Sequence, residues 1–210
     1  MSLRTIAWSA AALLALAMSG YALSYLVLGE RMFPGDLVES FRARPWGIYP
    51  HALLGAPALA IGPMQFLRGS FSKRPALHRA LGRVYVVCGL GTGLSGLYMS
   101  FHAQGGAAAG LGFAGMALAT LVCTGAGFRA IRRGDVATHR VWMLRSCATI
   151  FSAVTFRVWL PILVIALGDF ATAYAVAAWT SWVPNLLFAE WLARRAGWIQ
   201  GGRPALLATG

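Results

Sequence analysis

Four histidines and one arginine inside an apolar stretch are the residues of this chain whose chemistry most needs an explanation. The histidines are His51, His78, His102 and His139, and the arginine is Arg157. Imidazole transfers protons near neutral pH and ligates metals and haem iron. The four histidines are scattered along the chain, which disfavours the clustered histidine boxes of membrane hydroxylases and desaturases.

His78 and His139 occupy equivalent places in a short internal repeat. In each copy an arginine, Arg68 or Arg129, is followed ten residues later by a His-Arg pair that opens an apolar segment. A duplicated helical hairpin would set His78 and His139 opposite each other near one membrane face. In the first turn of a helix, the positive end of the dipole keeps imidazole neutral and able to act as a ligand. Because low-spin b-type haem takes two axial imidazoles from facing helices, this pair predicts one haem b and a role in membrane electron transfer.

The haem hypothesis also assigns roles to neighbouring groups. Basic side chains would pair with the haem propionates; these are Arg79, Arg83, Arg140 and Arg145. His51 and His102 form an alternative outer site, but two haems are harder to place, because His78 and His102 are 24 residues apart, about 36 Å along one helix. The competing interpretation is that the histidines are interfacial residues that bind lipid headgroups.

Arg157 lies about 18 Å deeper along its helix than Arg145, in the outer half of the membrane. A charge at that depth must be paired, hydrated or directed into a cavity. The functional interpretation is a site for an anionic or carbonyl-bearing ligand, such as a quinone head group, with Trp182 and Asn185 nearby; it predicts a small transporter or ligand-binding membrane protein. The structural alternative is a bond to a backbone carbonyl freed by Pro184.

Residues 93–96, Gly-Leu-Ser-Gly, resemble the nucleophile motif of rhomboid proteases. A serine nucleophile needs a general base within hydrogen-bond reach, normally on a later span, and the last apolar segment has no histidine. We therefore disfavour a protease. The glycines at 82, 89, 93 and 96 are better explained as a face for close helix packing.

The composition requires a membrane. Hydrophobic residues make up 58% of the 210 residues and charged residues 11%, with a mean hydropathy of +0.64, which does not describe a soluble domain. The net charge of +12 does not indicate nucleic acid, because the charges lie between apolar runs. Six runs are long enough to cross a bilayer, and we place the spans near 6–28, 48–67, 80–101, 107–128, 141–167 and 171–192.

The distribution of basic residues predicts the orientation. Fourteen basic residues lie on one side of these spans and three on the other, with Arg157 within a span. Since Lys and Arg are retained in the cytoplasm, both termini are predicted to be cytoplasmic, in a bacterial inner membrane. In the longest external loop we expect an interfacial lid with a short helix capped by Asp36, and on the inner side we expect Asp135 to cap a helix and Glu190 to pair with Arg194.

The predicted fold is therefore an all-α, polytopic membrane helix bundle in one domain over residues 1–210. Its six transmembrane helices surround a four-helix core of two duplicated hairpins. The cysteines at 88, 123 and 147 lie in apolar runs with no CxxC spacing, which predicts small buried side chains rather than a thiolate site. A non-catalytic membrane scaffold is the third function that fits this architecture.

Three strings carry a family resemblance. Residues 78–85 read HRALGRVY, residues 139–146 read HRVWMLRS, and residues 179–185 read WTSWVPN. Together they resemble a bacterial family of integral-membrane proteins, domain of unknown function 2306, over about residues 51–190. The resemblance implies a multi-helix inner-membrane protein and leaves its chemistry open. Positions of the family pattern are matched by His51, His78, His139, Arg145 and Arg157, whereas His102 does not match.

Overall fold

In the computed structural model, which describes residues 3–66 and 74–199, every regular element is helical. The α-helices are α1 (Leu3–Leu28), α2 (Val38–Arg42), α3 (Pro45–Met64), α4 (Pro75–Ser100), α5 (Gly106–Arg132), α6 (Val136–Ile150), α7 (Ser152–Leu167), α8 (Phe170–Thr180) and α9 (Val183–Arg195). Two short 3-10 turns, Gly29–Met32 and Gly35–Leu37, connect α1 to α2. The all-α prediction is confirmed for the described residues.

Four helical segments are long and apolar enough to cross a bilayer: Thr5–Met32, Pro75–Ser100, Gly106–Arg132 and Val136–Leu167. They support a membrane protein with several transmembrane helices. The other two predicted spans correspond to α3 and to α8 with α9. Helix α3 is one helix of 20 residues with three internal prolines, whereas α8 and α9 contain only 11 and 13 residues, and neither region is among the four segments.

The long helices alternate in direction and pack as antiparallel neighbours. The most extensive contacts join α3 with α4, α5 with α6, α4 with α5 and α1 with α3, while α8 packs on α5 and α7, and α9 packs on α6. This order contains the two predicted hairpins, α3–α4 and α5–α6. We call the end of the bundle that carries residues 29–44 the outer end, and the end that carries the α5–α6 turn the inner end.

Small side chains let the core helices approach closely. A Cβ atom at Gly93 would lie 2.8 Å from Leu121 of α5, and one at Gly96 would lie 3.2 Å from the His51 ring of α3. Gly89 likewise faces Ile150 and Thr124. The glycines of α4 therefore form a packing face, as the sequence indicates.

The inner half of the core is joined by hydroxyl groups. The Ser146 hydroxyl of α6 lies 2.8 Å from the Tyr85 hydroxyl of α4 and 2.7 Å from that of Thr124 on α5. All three side chains are almost fully buried. Hydrogen bonds between transmembrane helices hold them in register, because an unpaired hydroxyl is costly in an apolar interior.

The outer segment folds over the end of the bundle. Phe33 and Leu37 are buried in it, against Tyr25 and Tyr174 respectively, and the Gln104 amide donates to the backbone oxygen of Asp36 over 2.7 Å. The short helix is present as α2, but Asp36 does not cap it: the N-cap position is Leu37, and no side chain caps the helix. The cap prediction was wrong because Asp36 lies inside the three-residue 3-10 turn Gly35–Leu37 that precedes the α-helix.

Ion pairs hold the outer segment to the end of α1. Arg42 contacts Glu30 at 2.8 Å and Glu39 at 3.3 Å. All three side chains are well exposed, and such surface pairs contribute little to stability.

Candidate ligand-binding cavity

A cavity of about 320 Å³ opens between the helices in the outer half of the bundle. Most of its wall is apolar or aromatic, and residues of α1 to α8 contribute to it. The side chains that matter most for its chemistry are Tyr21, Tyr25, His51, Thr92, Arg157 and Tyr174. Pockets of this size with few polar groups in an apolar wall are typical of small-molecule sites.

Arg157 supplies the charge of the cavity. One of its guanidinium nitrogens, Nη1, donates to the carbonyl oxygen of Ala153 over 3.2 Å, and its Cζ lies 5.2 Å from the centre of the Tyr21 ring. The Tyr25 hydroxyl accepts a hydrogen bond from the guanidinium, and Tyr174 lies within its electrostatic reach. None of the ion pairs found among residues 3–66 and 74–199 includes Arg157. A cation in an apolar wall with no carboxylate favours an anionic or electron-rich ligand.

His51 of α3 faces α4 across the same cavity. Its Nδ1 lies 3.1 Å from the Thr92 carbonyl oxygen, 3.2 Å from the Thr92 hydroxyl and 3.4 Å from the Ser95 hydroxyl. Both hydroxyls have carbonyl acceptors: Thr92 donates to the His51 oxygen, and Ser95 donates to the oxygens of Gly91 and Thr92. Three acceptors around Nδ1 place the imidazole proton on that atom.

The contact between Ser95 and His51 was missed from the sequence, since the motif analysis looked for a base on the last span. The contact does not make a nucleophile. Because Nδ1 of His51 carries a proton, it cannot take one from Ser95, whose hydroxyl donates to backbone oxygens of its own helix. The protease interpretation gains no support from this geometry.

Asn185 and Trp182 are not brought to Arg157. The amide nitrogen of Asn185 donates to the Ala148 oxygen over 3.3 Å and to the Thr155 hydroxyl over 3.0 Å. The Thr155 hydroxyl in turn donates to the Ser181 oxygen. That oxygen lies at the break between α8 and α9, three residues before Pro184. Trp182 packs over Gly115 and does not line the cavity.

His102 also lines the cavity, so both members of the predicted outer pair reach one space. His102 lies at the rim, exposed, with its ring 5.4 Å from the Tyr98 ring in an edge-on contact. His51 is more enclosed, and Arg157 acts electrostatically on it. The combination of His51 with Arg157 is the grouping that sequence reasoning did not make, because 106 positions separate them and no spacing rule connects α3 with α7.

His78 and His139 both lie at the inner end, on α4 and α6. Each lies in the first turn of its helix, α4 or α6, and the two imidazoles are close enough to interact electrostatically. Nδ1 of His139 lies 2.8 Å from the carbonyl oxygen of Gly127, which assigns the proton to Nδ1 and leaves Nε2 as the acceptor. The helix of His139 begins at Asp135, whose carboxylate accepts from the Thr138 amide over 3.0 Å, as predicted.

The four arginines near these histidines differ in their contacts. Arg145 forms an ion pair with Glu190 of α9 at 2.6 Å and stacks over Trp142, while Arg140 stacks over Trp198. Arg79 and Arg83 are exposed. Glu190 also contacts Arg194 at 3.1 Å, as expected, but its shorter contact is with Arg145. Among the described residues no group of three or more His, Cys, Asp or Glu is arranged to hold a metal ion.

The three cysteines are free thiols, and Cys88 and Cys123 are buried, while Cys147 is partly buried. This placement agrees with their prediction as small apolar side chains.

Comparison with known proteins gives one informative result. No curated protein and no solved structure matches the chain. A family model described as a predicted membrane protein, DUF2306, matches residues 48–193. That range runs from α3 to α9 and includes His51, the inner histidine pair and Arg157. The matched region covers well over half of the chain, and the protein therefore belongs to the DUF2306 family of predicted membrane proteins.

Proposed function

We propose that this protein binds a small lipid-soluble ligand, with a carbonyl or anionic head, in the outer cavity. The observation that carries the proposal is the guanidinium of Arg157 on an apolar wall without a carboxylate partner among the described residues. A charge so placed lowers its free energy when an acceptor oxygen approaches it. The apolar and aromatic wall suits the body of the same molecule, and a quinone head group fits both requirements.

Two probes separate the carbonyl and anionic forms of this proposal. The purified protein in mild detergent is titrated with decylubiquinone, which carries carbonyls, and with decanoate, which carries a carboxylate. Binding is followed by tryptophan fluorescence. We expect Arg157→Leu to weaken the preferred probe at least about tenfold, because a hydrogen bond to a charged group is lost. Arg31→Leu is the matched control, since Arg31 is exposed outside the cavity. Equal affinity in Arg157→Leu, or no binding of either probe, would contradict the proposal.

A second candidate function, electron transfer by haem b, concerns the inner end. It is favoured by the position of His78 within electrostatic reach of His139 and by the Gly127 carbonyl, which accepts a hydrogen bond from Nδ1 of His139. A backbone acceptor at Nδ1 fixes the tautomer in which Nε2 can ligate iron. Arg79 and Arg83 are the basic residues left for the propionates, because Arg145 is engaged with Glu190. Bound haem would supply one-electron chemistry for exchange with a redox partner.

Visible spectra test this second candidate. Protein produced with haem supplied should show a reducible low-spin b-type spectrum that both His78→Ala and His139→Ala abolish. Loss of the spectrum in His51→Ala alone would move the site to the outer cavity. A colourless preparation that retains its helical circular dichroism would exclude haem.

We also propose that the chain crosses a bacterial inner membrane six times with both termini in the cytoplasm. The alternation of the helices and the bias of basic residues support this arrangement. A periplasm-dependent reporter fused after Gly106 should be active, and one fused after Gly134 inactive. The reverse pattern would invert the two ends of the bundle.

A further inference from the structure

The tautomer of His51 restricts what the outer cavity can hold. Acceptor oxygens of Thr92 and Ser95 surround Nδ1, which therefore carries the proton. Nε2 is then unprotonated and carries a lone pair. None of the hydrogen bonds found within residues 3–66 and 74–199 uses Nε2, so the imidazole can offer the cavity an acceptor.

Arg157 offers the opposite kind of group. A guanidinium has five N–H donors and no acceptor, and its hydrogen-bond partners in the described part of the chain are the Ala153 oxygen and the Tyr25 hydroxyl, which leaves donors for a ligand. Both side chains line one cavity and interact electrostatically. The cavity thus combines a cationic hydrogen-bond donor, the Arg157 guanidinium, with a neutral acceptor, Nε2 of His51.

Packing keeps the acceptor in place. A Cβ atom at Gly96 would lie 3.2 Å from Cε1 and 3.4 Å from Nδ1 of His51, and a Cβ atom at Gly55 would lie 3.0 Å from the Thr92 hydroxyl. Two glycines therefore let α3 and α4 approach until the imidazole meets the backbone of α4. Aromatic rings of Phe113, Phe156 and Tyr174, whose centroids lie 5.1 to 5.5 Å apart, form an adjoining wall.

Resting on the proposed binding function, we infer that the ligand is a hydroxylated aromatic molecule of the hydroquinone type. One hydroxyl donates to Nε2 of His51, and another oxygen of the same ring accepts from Arg157. A ligand with acceptors only, such as a quinone or a fatty acid, satisfies Arg157 but leaves the imidazole lone pair unpaired. Because a buried acceptor without a donor is costly, the cavity should prefer the molecule that supplies both groups.

Three related probes test the inference: decylubiquinol under anaerobic conditions, its dimethyl ether and decylubiquinone. All share the ring and the alkyl chain, and only the quinol has hydroxyl donors. We expect the quinol to bind about three- to tenfold more tightly than the other two, which is the worth of one hydrogen bond. His51→Phe, which keeps a ring but removes the acceptor, should bring the three affinities together.

The outcomes distinguish this inference from the proposal beneath it. Binding of all three probes that is weakened by Arg157→Leu but shows no preference for the quinol overturns the hydroquinone assignment alone. Failure of every probe to bind overturns the binding function as well. The comparison of the three probe affinities uses the wild-type protein, so it tests the hydroquinone assignment even where His51→Phe does not fold.

Discussion

Two arginines twelve positions apart on consecutive helices, Arg145 on α6 and Arg157 on α7, have opposite environments. Arg145 is paired with Glu190 at 2.6 Å and lies over Trp142. Arg157 has one backbone acceptor and the Tyr25 hydroxyl, lies over Tyr21 and faces a cavity. An arginine thus joins two helices by an ion pair in the inner half of the bundle, whereas in the outer half an arginine has no carboxylate partner among the described residues. If the proposed ligand site is correct, the presence of a carboxylate partner, rather than burial, distinguishes the structural arginine from the binding one.

The polar groups around each arginine repeat this difference. In the inner half, Ser146 connects the hydroxyls of Tyr85 and Thr124, so polar atoms are used to join helices. In the outer half, His51 and Arg157 have polar atoms directed at a space of about 320 Å³. We therefore expect substitutions in the inner half to lower stability and substitutions in the outer half to lower ligand affinity.

The largest stability effect is expected at the inner ion pair. Glu190→Gln should lower the free energy of unfolding by about 2 kcal/mol, less than for a fully buried pair, because the Arg145 and Glu190 side chains are 22% and 26% exposed. Thermal unfolding in detergent measures the change. Arg194→Leu is the control and should cost much less, since Arg194 is 70% exposed. Equal losses in both variants would remove the special role of Arg145.

The hydrogen-bonded hydroxyls of Tyr85, Thr124 and Ser146 should give the next largest effect on stability. Ser146→Ala removes the partner shared by two buried hydroxyls and should lower the free energy of unfolding by about 1 kcal/mol. The control, Ser95→Ala, removes a hydroxyl that donates within its own helix and should cost less. A larger loss in Ser95→Ala would mean that the outer half also depends on its hydroxyls for stability.

Substitution of the outer arginine should leave stability nearly unchanged. Arg157→Leu removes a charge that costs about 2.5 to 3.5 kcal/mol to place within a bilayer, and this gain offsets the loss of its backbone hydrogen bond and ring contact. The same thermal assay measures it in the absence of added ligand. A loss of stability as large as that of Glu190→Gln would mean that Arg157 stabilises the fold in the way that Arg145 does, and would contradict the contrast between the two halves.

The smallest effect concerns pH and the helix caps at the two ends. The pKa of Asp135 is lowered from 3.8, first by a hydrogen bond from the Thr138 hydroxyl and then by one from the Thr138 amide, and the pKa of Asp169, the N-cap of α8, is lowered in the same way by Thr172. A depressed carboxyl pKa adds stability above the unfolded value of 3.8 that is lost as pH falls through the folded value. The difference in unfolding midpoint between wild type and Asp135→Ala should be constant from about pH 5 to 8 and shrink below about pH 4. Asp169→Ala should behave in the same way, and a difference that grew on acidification would contradict the cap assignment.

Much of the fold could be predicted because it depends on local rules. Long apolar runs predicted several membrane helices, the N-cap Asp135 was predicted from its position after a glycine, and the repeated His-Arg pairs placed His78 and His139 in the first turns of their helices. The short helix of the outer segment was also found, although Asp36 does not cap it. Helix caps and apolar length involve neighbours within one turn or one segment, so the sequence carries them directly.

The candidate site was predicted only in part. Arg157 was singled out by the cost of its charge, but its expected partners Asn185 and Trp182 belong to the break between α8 and α9. His51 was assigned to a second histidine pair, whereas its important neighbours are Thr92, Ser95 and Arg157. Sequence spacing ranks residues along one helix and does not say which helices become neighbours.

The sequence by itself determined that this chain is a helical membrane protein, and it set the positions of its ionisable groups within the apolar segments. Apolar length and charge distribution suffice for that, since they act on each segment separately. Only the tertiary structure decided which arginine has a carboxylate partner and which faces a cavity. The choice depends on the packing of α9 against α6 and on the cavity that α1, α3, α4 and α7 line together, where glycines such as Gly96 permit contacts that no local pattern encodes.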